Sequence, residues 1–418
     1  MGYFDEGWFM SDMDYGDKTF IANLTAGLLI FILNVRFSVA YYSYFWIGLA
    51  LYLIYSACHY RYYKGALARV YQQQKLNLKI LGGGIVACYG MLLLSSVLLL
   101  DKQSAKTTMD WFLYVAPLVV FWILSGLHNI DRGLATGLLL AVLANAILVG
   151  MQIVENGTVW SFCDAIRVIG TFENPNTFGA VLAWMIPFLI YFFYRVQSFI
   201  EKTFCLLGFF LSNICLYMTH SRGAAISLIA GFLLLTLLYG VSHRLKLGFK
   251  RNFIVLILCG ILLVWLGLGS IESTYTRGMG ERQLMWSASV QMWEDHKILG
   301  TGIGRWTENY YSEWYHPVNG HEKNHYFPHN MFLYFLAGAG LLGAIGYICL
   351  VLSMFWVLLR KLKADEKLTV AIPMTATFIA FILVGMVDST LTDKMVALPY
   401  FALMGYSVGS YDADRKES

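Results

Sequence analysis

Long apolar runs dominate the chain, and short polar segments separate them. Runs such as "LTAGLLIFILNV", "ILLVWLGLGS" and "LLGAIGYICLVLSMFWVLL", with their neighbours, reach the length of about 20 residues that a helix needs to cross a hydrocarbon core. Their apolar positions are continuous rather than alternating, which disfavours a transmembrane β-barrel. The pattern therefore predicts an all-α polytopic membrane protein with about twelve transmembrane helices.

The same pattern predicts how the chain is organised. We expect one integral membrane domain over residues 1–418, with a large extracytoplasmic loop at 271–330 that bears short helices. Within the loop, residues 281–296 have helical spacing with Leu284 and Val290 on one side, which predicts an amphipathic helix at the membrane surface. The predicted spans lie near residues 20–35, 38–57, 79–100, 110–127, 133–151, 177–194, 203–218, 223–241, 253–270, 331–359, 368–387 and 395–411.

Composition supports the membrane class. Only 13% of the residues are charged, whereas soluble domains carry about 25%. The formal charge of +4 says nothing about nucleic acid, because membrane orientation decides where such charges lie. The seven cysteines show no spacing typical of a disulfide framework or zinc site, so we expect free, buried thiols. The amino-terminal segment lacks the basic region of a cleaved signal peptide, and we expect the first helix to be retained.

Basic residues predict the orientation in the membrane. With the amino terminus in the cytosol, nineteen of the thirty Lys and Arg residues fall in cytoplasmic segments. The protein is therefore predicted to lie in the cytoplasmic (inner) membrane of a bacterium with both termini cytoplasmic. Several of the other basic residues lie in three polar outside segments, at 163–179, 217–225 and 271–330.

The segment "THSRGAA" places Arg222 between two apolar runs, at the predicted outer boundary. A charge at that depth usually faces a cavity and a partner. A guanidinium matches phosphate oxygens in a bidentate manner, so Arg222 is a candidate phosphate ligand. The alternative is an arginine that extends to lipid headgroups. Both interpretations remain open from this residue alone.

The segment "RVIGTFENPNTFG" reads as a turn that begins a helix, with Asn174 as the cap and Pro175 in the first turn. A helix start also offers free N–H groups and a positive dipole end to an anion. Arg167 lies upstream on the same predicted side of the membrane and is either a solvated loop residue or a substrate contact.

Two features of the large loop resemble a nucleotide-binding loop and a metal site. "GTGIG" at 300–304 lacks the ending and the preceding strand of a phosphate loop, so a flexible turn is the better interpretation. His321, His325 and His329 are spaced by four residues, but Pro328 interrupts the helix that would align them for a metal. His316 precedes this group, and we predict no metal site. His329 is either a helix cap or a general base, since only histidine titrates naturally near neutral pH.

Four motifs in series carry a family resemblance: "RVIGTFENPNTFG", "THSRGAAISLIAGFLLL", "ERQLMWSASVQMWEDHKILGTGIGRW" and "HNMFLYFLAGAGLLGAIG". Together they resemble the O-antigen ligase and polymerase superfamily over about residues 130–410. The resemblance implies transfer of a glycan from an undecaprenyl-pyrophosphate carrier to an acceptor hydroxyl, without metal, nucleotide or other cofactor.

The resemblance also implies roles for individual residues. Arg222 and Arg282 hold the pyrophosphate, and His329 serves the acceptor. Arg167 is a donor contact. The remaining substrate-binding candidates are the motif residues Asn174, Asn176, Ser221 and Asn330. The role of Asp388, which either orients a site residue or caps a helix, stays open.

Several functions fit these features. We expect a ligase that uses a lipid A–core acceptor. A polymerase that joins lipid-linked repeat units and an enzyme that glycosylates protein hydroxyls differ from it only in the acceptor. A transporter of the lipid-linked glycan is a further alternative, but the sequence shows neither inverted repeats nor interrupted helices near the middle of the membrane. An enzyme is therefore favoured.

Overall fold

The computed structural model describes residues 7–36, 41–155, 167–242, 275–312, 326–364 and 369–410. These residues form α-helices and no strand. The helices are α1 Gly7–Asn34, α2 Tyr41–Cys58, α3 Tyr60–Leu98, α4 Lys102–Leu113, α5 Ala116–Leu127, α6 Asp131–Glu155, α7 Pro175–Arg195, α8 Phe199–Met218, α9 Arg222–Ser242, α10 Tyr275–Asp295, α11 Trp306–Tyr310, α12 Met331–Ala364, α13 Ala371–Gly385 and α14 Lys394–Gly409.

Seven helical stretches of the described residues are long and apolar enough to cross a membrane, and three shorter helices are also apolar. The prediction of an all-helical, multi-pass protein is therefore confirmed at this level, while the number of twelve spans stays a prediction. The predicted span at 253–270 lies outside the described residues. Within the described part the cysteines are free thiols, but the expectation that they are buried is wrong for Cys58, which is exposed at the end of α2. Cys163 and Cys259 lie outside that part.

Helix α7 lies at the centre of the bundle, and every residue from Thr177 to Phe192 is buried. It packs against α8, α9, α13 and α14. Elsewhere small residues let helices approach closely: a Cβ on Gly27 would lie 2.7 Å from the carbonyl oxygen of Gly133. A central helix with no lipid-facing side provides a fixed reference for the segments at its amino-terminal end.

Helix α12 is broken near its amino-terminal end, whereas the sequence predicts a continuous span at 331–359. Gly340 has φ 61° and ψ −147°, a conformation that favours glycine. The carbonyl of Ala337 accepts from the Thr301 amide at 2.9 Å, and the Leu341 amide donates to the carbonyl of Lys297 at 2.8 Å. The "GTGIG" segment is thus a turn, as predicted, but its backbone is hydrogen-bonded to the break in α12.

Helix α10 confirms the helix predicted at 281–296, but it begins earlier and buries a different side. The buried residues include Met285, Ser289 and Met292 rather than Leu284 and Val290. Ser289 is buried because its hydroxyl accepts a hydrogen bond at 2.8 Å from the indole of Trp306, a contact that hydrophobicity alone does not predict.

An ion pair attaches the segment 275–312, which contains α10 and α11, to the bundle. Arg305 donates through Nε and Nη2 to the two carboxylate oxygens of Asp101, at 3.0 and 3.1 Å. Asp101 caps α4 by accepting from the Gln103 amide. Ser95, at the end of α3, donates to the carbonyl of Leu299 at 2.7 Å. The loop is therefore held against the corner between α3 and α4.

Candidate active site

Arg167 joins two segments, at Asn176 and Thr219, that lie 43 residues apart in the chain. Its Nε donates to the carbonyl of Thr219 at 2.9 Å, and its Nη2 donates to Oδ1 of Asn176 at 2.5 Å. The amide of Val168 also donates to the carbonyl of Met218. Arg167 therefore connects the end of α8 with the first turn of α7.

Polar side chains of α6 hold the segment that carries Arg167. Gln152 accepts from the amides of Ile169 and Gly170. Asn145, which is buried, accepts from the amide of Thr171 at 3.0 Å. These amides have no helix or sheet partner, and buried amides without a partner are costly, so the two side chains set the path of the loop. Asn145, a polar residue inside the apolar span predicted at 133–151, was the sequence signal for this support.

The start of α7 has the predicted form. Oδ1 of Asn174 accepts from the amide of Thr177 at 2.8 Å, and Pro175 is the first helical residue. The hydroxyl of Thr177 donates to Oδ2 of Asp393 at 3.1 Å. Asp393 itself caps α14 by accepting from the amide of Met395. Burial raises the pKa of Asp393 to about 6.

The start of α9 places Arg222. His220 adopts a left-handed conformation with φ 49°, and the amide of Ser221 donates to the hydroxyl of Thr219 at 3.1 Å. Ser221 is buried, and its carbonyl accepts the first helical hydrogen bond, from Ala225. Arg222 is the first residue of α9, half-buried at its end. Ser221 thus occupies the capping position.

Gly223 brings the start of α9 close to Asp388. A Cβ on Gly223 would lie 2.8 Å from Cγ2 of Val387, the residue before Asp388. With a side chain at position 223, the Val387 side chain would have to move. The α9 terminus and the segment after α13 are therefore in direct contact.

His329 lies directly before the start of α12, two residues ahead of Met331. Like His220, His329 is left-handed, with φ 50°. Asn330 caps α12 by accepting from the amide of Leu333 at 3.1 Å, and it donates to the carbonyl of Met386 at 3.3 Å. Nδ1 of His329 lies 3.3 Å from Oδ1 of Asp388, which also accepts from the amide of Ser389.

Arg282 approaches this site from the loop. Trp286 lies one turn after Arg282 on α10, and its indole nitrogen donates to the carbonyl of Pro328 at 2.9 Å. Residues four apart lie on the same side of a helix, so Arg282 and Trp286 both lie on the side of α10 toward the start of α12.

Electrostatic interactions join these residues into one site. Desolvation lowers the pKa of Arg167, the charges of Arg222 and Arg282 lower it further, and the carboxylate of Asp388 opposes them. The pKa of His220 is also lowered, first by desolvation and then by Arg167 and Arg222. The site thus contains three guanidinium groups with a His–Asp pair beside them, and it has an excess of positive charge.

The structure brings the predicted site residues to one end of the bundle. Their side chains make different kinds of hydrogen bond there. The side chains of Asn174 and Asn330 cap helices, and Asn176 accepts from Arg167. Sequence reasoning left Asp388 open and did not identify Asp393 or Trp286. His316, His321 and His325 lie outside the described residues, and no group of three His, Cys, Asp or Glu that could hold a metal occurs within the described ranges.

A family comparison bears on this geometry. Residues 206–348 match the Wzy_C family model, described as O-antigen ligase. This match confirms the resemblance to the O-antigen ligase and polymerase superfamily. It contains Arg222, Arg282 and His329, whereas Arg167 and Asp388 lie on either side of it. Among curated proteins, none matches the chain.

The family match, the site and the apolar helices support the same general function. Residues 206–348 are similar to a family whose members are glycosyltransferase-like enzymes of glycan biosynthesis that use lipid-linked substrates, and the apolar helices of the described residues are those of a multi-pass membrane protein.

Proposed function

We propose that this protein transfers a glycan from an undecaprenyl-pyrophosphate carrier to an acceptor hydroxyl of the lipid A–core type, at the outer face of the cytoplasmic membrane. The observation that carries this proposal is the cluster of Arg167, Arg222 and Arg282 beside the His329–Asp388 pair. In this proposal both termini are cytoplasmic, and residues 271–330 form an extracytoplasmic loop of a single membrane domain.

The donor's pyrophosphate fits the positive end of the site. The amino-terminal ends of α7, α9 and α12 meet there, and helix starts favour anions. In the proposed reaction Arg222 and Arg282 hold the pyrophosphate and stabilise the negative charge that grows as the glycosidic bond breaks. Arg167 contributes charge and is a further donor contact, beside Asn174, Asn176 and Ser221 at the same helix starts.

The His329–Asp388 pair fits activation of the acceptor. With Nδ1–H donating to Asp388, the other ring nitrogen, Nε2, is left as the base. His329 then takes the proton from the acceptor hydroxyl as its oxygen attacks the anomeric carbon, and undecaprenyl pyrophosphate leaves with the bonding electron pair. Such base catalysis typically contributes about 10²- to 10⁴-fold in rate. Direct attack inverts the anomeric configuration, and Asn330 holds the start of α12 beside the acceptor.

The donor brings its own leaving group, so the reaction has no need of a nucleotide. A polymerase would use the same donor site and differ in taking a second lipid-linked glycan, or a protein hydroxyl in a related enzyme, as its acceptor. The broken helix α12 is a feature that transporters also use, so a transport role is tested in the same experiment.

The test is transfer by purified protein in liposomes without added metal. An undecaprenyl-pyrophosphate glycan is supplied either with a lipid A–core acceptor or alone, to the wild type and to His329→Ala. His296→Ala is the matched control, because His296 is exposed in the same loop. We expect product on the lipid A–core acceptor from the wild type and the control, and a loss of about 10²-fold or more in His329→Ala.

The other outcomes separate the alternatives. Longer lipid-linked chains from donor alone would identify a polymerase. Movement of the donor across the bilayer without any glycosyl transfer would identify a transporter and exclude base catalysis by His329.

A further inference from the structure

The backbone of His329 is strained, and the structure indicates what holds it. A φ of 50° is a conformation that residues with a side chain rarely adopt, and it persists only where surrounding contacts enforce it. Strain of this kind at a candidate catalytic residue raises the question of which neighbour maintains it.

The peptide unit between Pro328 and His329 is the part of the backbone whose orientation defines this φ. The carbonyl oxygen of Pro328 belongs to that unit, and it accepts from Nε1 of Trp286 at 2.9 Å. A hydrogen bond to this oxygen therefore resists rotation about φ of His329. The contact spans 42 positions of the chain, so it forms only when α10 packs beside the start of α12.

The remaining contacts fix other parts of His329. Asp388 faces the imidazole at 3.3 Å, and the ring centroid of Phe327 lies 4.4 Å from that of His329. Asn330 fixes the helix that follows. The Trp286 indole, in contrast, binds the backbone carbonyl of Pro328, directly before His329.

We propose that Trp286 is a positioning residue: its indole N–H holds the left-handed backbone of His329 and thereby directs the imidazole toward the acceptor. This inference rests on the proposed function of His329. Because Trp286 follows Arg282 by one helical turn, the same contact links the donor side of the site to the acceptor side. Trp286 acts through His329 and touches no reacting atom.

The test compares Trp286→Phe with Trp306→Phe in the liposome assay. Phenylalanine keeps an aromatic face but removes the N–H donor. The control also removes an indole hydrogen bond within the loop, that from Trp306 to Ser289 at 2.8 Å. We expect kcat of Trp286→Phe to fall about tenfold, as loss of one such hydrogen bond implies, with KM for the donor changed less than about twofold. The control keeps kcat within about threefold of the wild type.

A double variant separates positioning from other roles. In His329→Ala, the substitution Trp286→Phe is expected to cause no further loss, because the indole then has no base to position. A further tenfold loss in that background would overturn the proposal, as would an unchanged kcat in Trp286→Phe, which would indicate that the ring acts only as an aromatic surface.

A direct binding measurement with undecaprenyl pyrophosphate shows whether Trp286→Phe is still folded and still binds the donor's carrier. Retained binding by Trp286→Phe, with the lower kcat, supports the proposal, and lost binding overturns it by assigning the indole to the donor site or the fold. Failure of the proposed function looks different, because His329→Ala would then keep full activity whatever Trp286→Phe does.

Discussion

At the scale of single residues, the proposed function of His329 depends on which of its ring nitrogens carries the proton. Asp388 lies 3.3 Å from Nδ1, and its Oδ1 also accepts from the amide of Ser389 at 2.8 Å, which holds the carboxylate in place. A carboxylate can only accept, so it favours the tautomer with Nδ1–H, in which Nε2 is the nitrogen for the proposed base catalysis.

Asp388→Asn tests this selection. The amide can present its N–H to Nδ1 and stabilise the wrong tautomer, so we expect kcat to fall by about 10²-fold while donor binding changes little. The measurement is kcat and donor affinity in the liposome assay. An Asp388→Asn enzyme with wild-type kcat would limit Asp388 to a structural role.

Asp393 is the second carboxylate at this end of the bundle, and its pKa of about 6 predicts a pH-dependent stability. Its folded pKa lies above the unfolded value of 3.8, so the native state binds the proton more tightly. This contribution to stability is fully present below about pH 4 and is lost as the pH rises through 6, up to about 3 kcal/mol.

Asp393→Asn removes that titration. Asparagine still caps α14 and can bond the Thr177 hydroxyl. We expect the variant to melt at a higher temperature than the wild type at pH 7.5. The difference between the two melting temperatures should be smaller at pH 4.5. Thermal unfolding in detergent at both pH values provides the measurement. A variant less stable than the wild type at pH 7.5 would contradict the prediction.

At the scale of elements, two helices begin in the same way. A left-handed histidine precedes the capping residue in both: His220 before Ser221 and α9, and His329 before Asn330 and α12. Both left-handed residues lie at the end of the bundle that contains the candidate site residues. Both helix starts therefore present positive dipole ends and the adjacent site residues together.

Gly179→Ala tests how tightly the start of α7 fits the turn before α9. A Cβ at this position would lie 2.7 Å from Cβ of Ser221, so the turn that carries Arg222 has to move. We expect KM for the donor to rise severalfold, even though alanine favours the helix by about 1 kcal/mol.

Gly150→Ala is the matched control, because a Cβ on Gly150 of α6 meets nothing within 4 Å. It is expected to keep its donor KM. An unchanged KM in both variants would show that the α7–α9 contact does not position Arg222.

At the scale of the whole molecule, the site is divided between two bodies. Arg167, Arg222 and Asp388 belong to the bundle, whereas Arg282 belongs to α10, in the segment 275–312. This segment is attached to the bundle by the Asp101–Arg305 ion pair, by hydrogen bonds to the break in α12 around Gly340, and by the Ser95–Leu299 and Trp286–Pro328 hydrogen bonds. The position of Arg282 relative to the bundle therefore depends on these attachments.

Asp101→Asn weakens the first attachment. The Arg305 guanidinium holds the pKa of Asp101 well below its usual range, which indicates a favourable pair that asparagine cannot replace. Because the pair is partly exposed, we expect the local stability of the segment that contains α11 to fall by about 1 kcal/mol. Amide hydrogen exchange in α11 should then be faster than in the wild type, while exchange in α7 stays unchanged.

Glu201→Gln is the control for Asp101→Asn. It removes the carboxylate of another ion pair, with Arg132 at 3.4 Å, between α6 and α8. The rate of amide hydrogen exchange in α11 of Glu201→Gln is expected to equal that of the wild type. Uniformly faster exchange in Asp101→Asn would instead indicate global destabilisation.

The sequence by itself determined the membrane class, the helical character and the residue types at the site. Run length, charge depletion and helix-cap residues are local properties, so the apolar helices and the Asn174 cap could be predicted from it. The motif order also sufficed to identify the superfamily, which the match over residues 206–348 confirmed.

Only the tertiary structure decided which residues meet and which sides are buried. The pairs His329–Asp388, Trp286–Pro328 and Thr177–Asp393 are separated by 59, 42 and 216 positions. Their energies come from desolvation and hydrogen bonding between packed helices, which no local pattern encodes. For the same reason the buried side of α10 was predicted wrongly: its neighbours select that side, and one of them offers Ser289 a hydrogen bond.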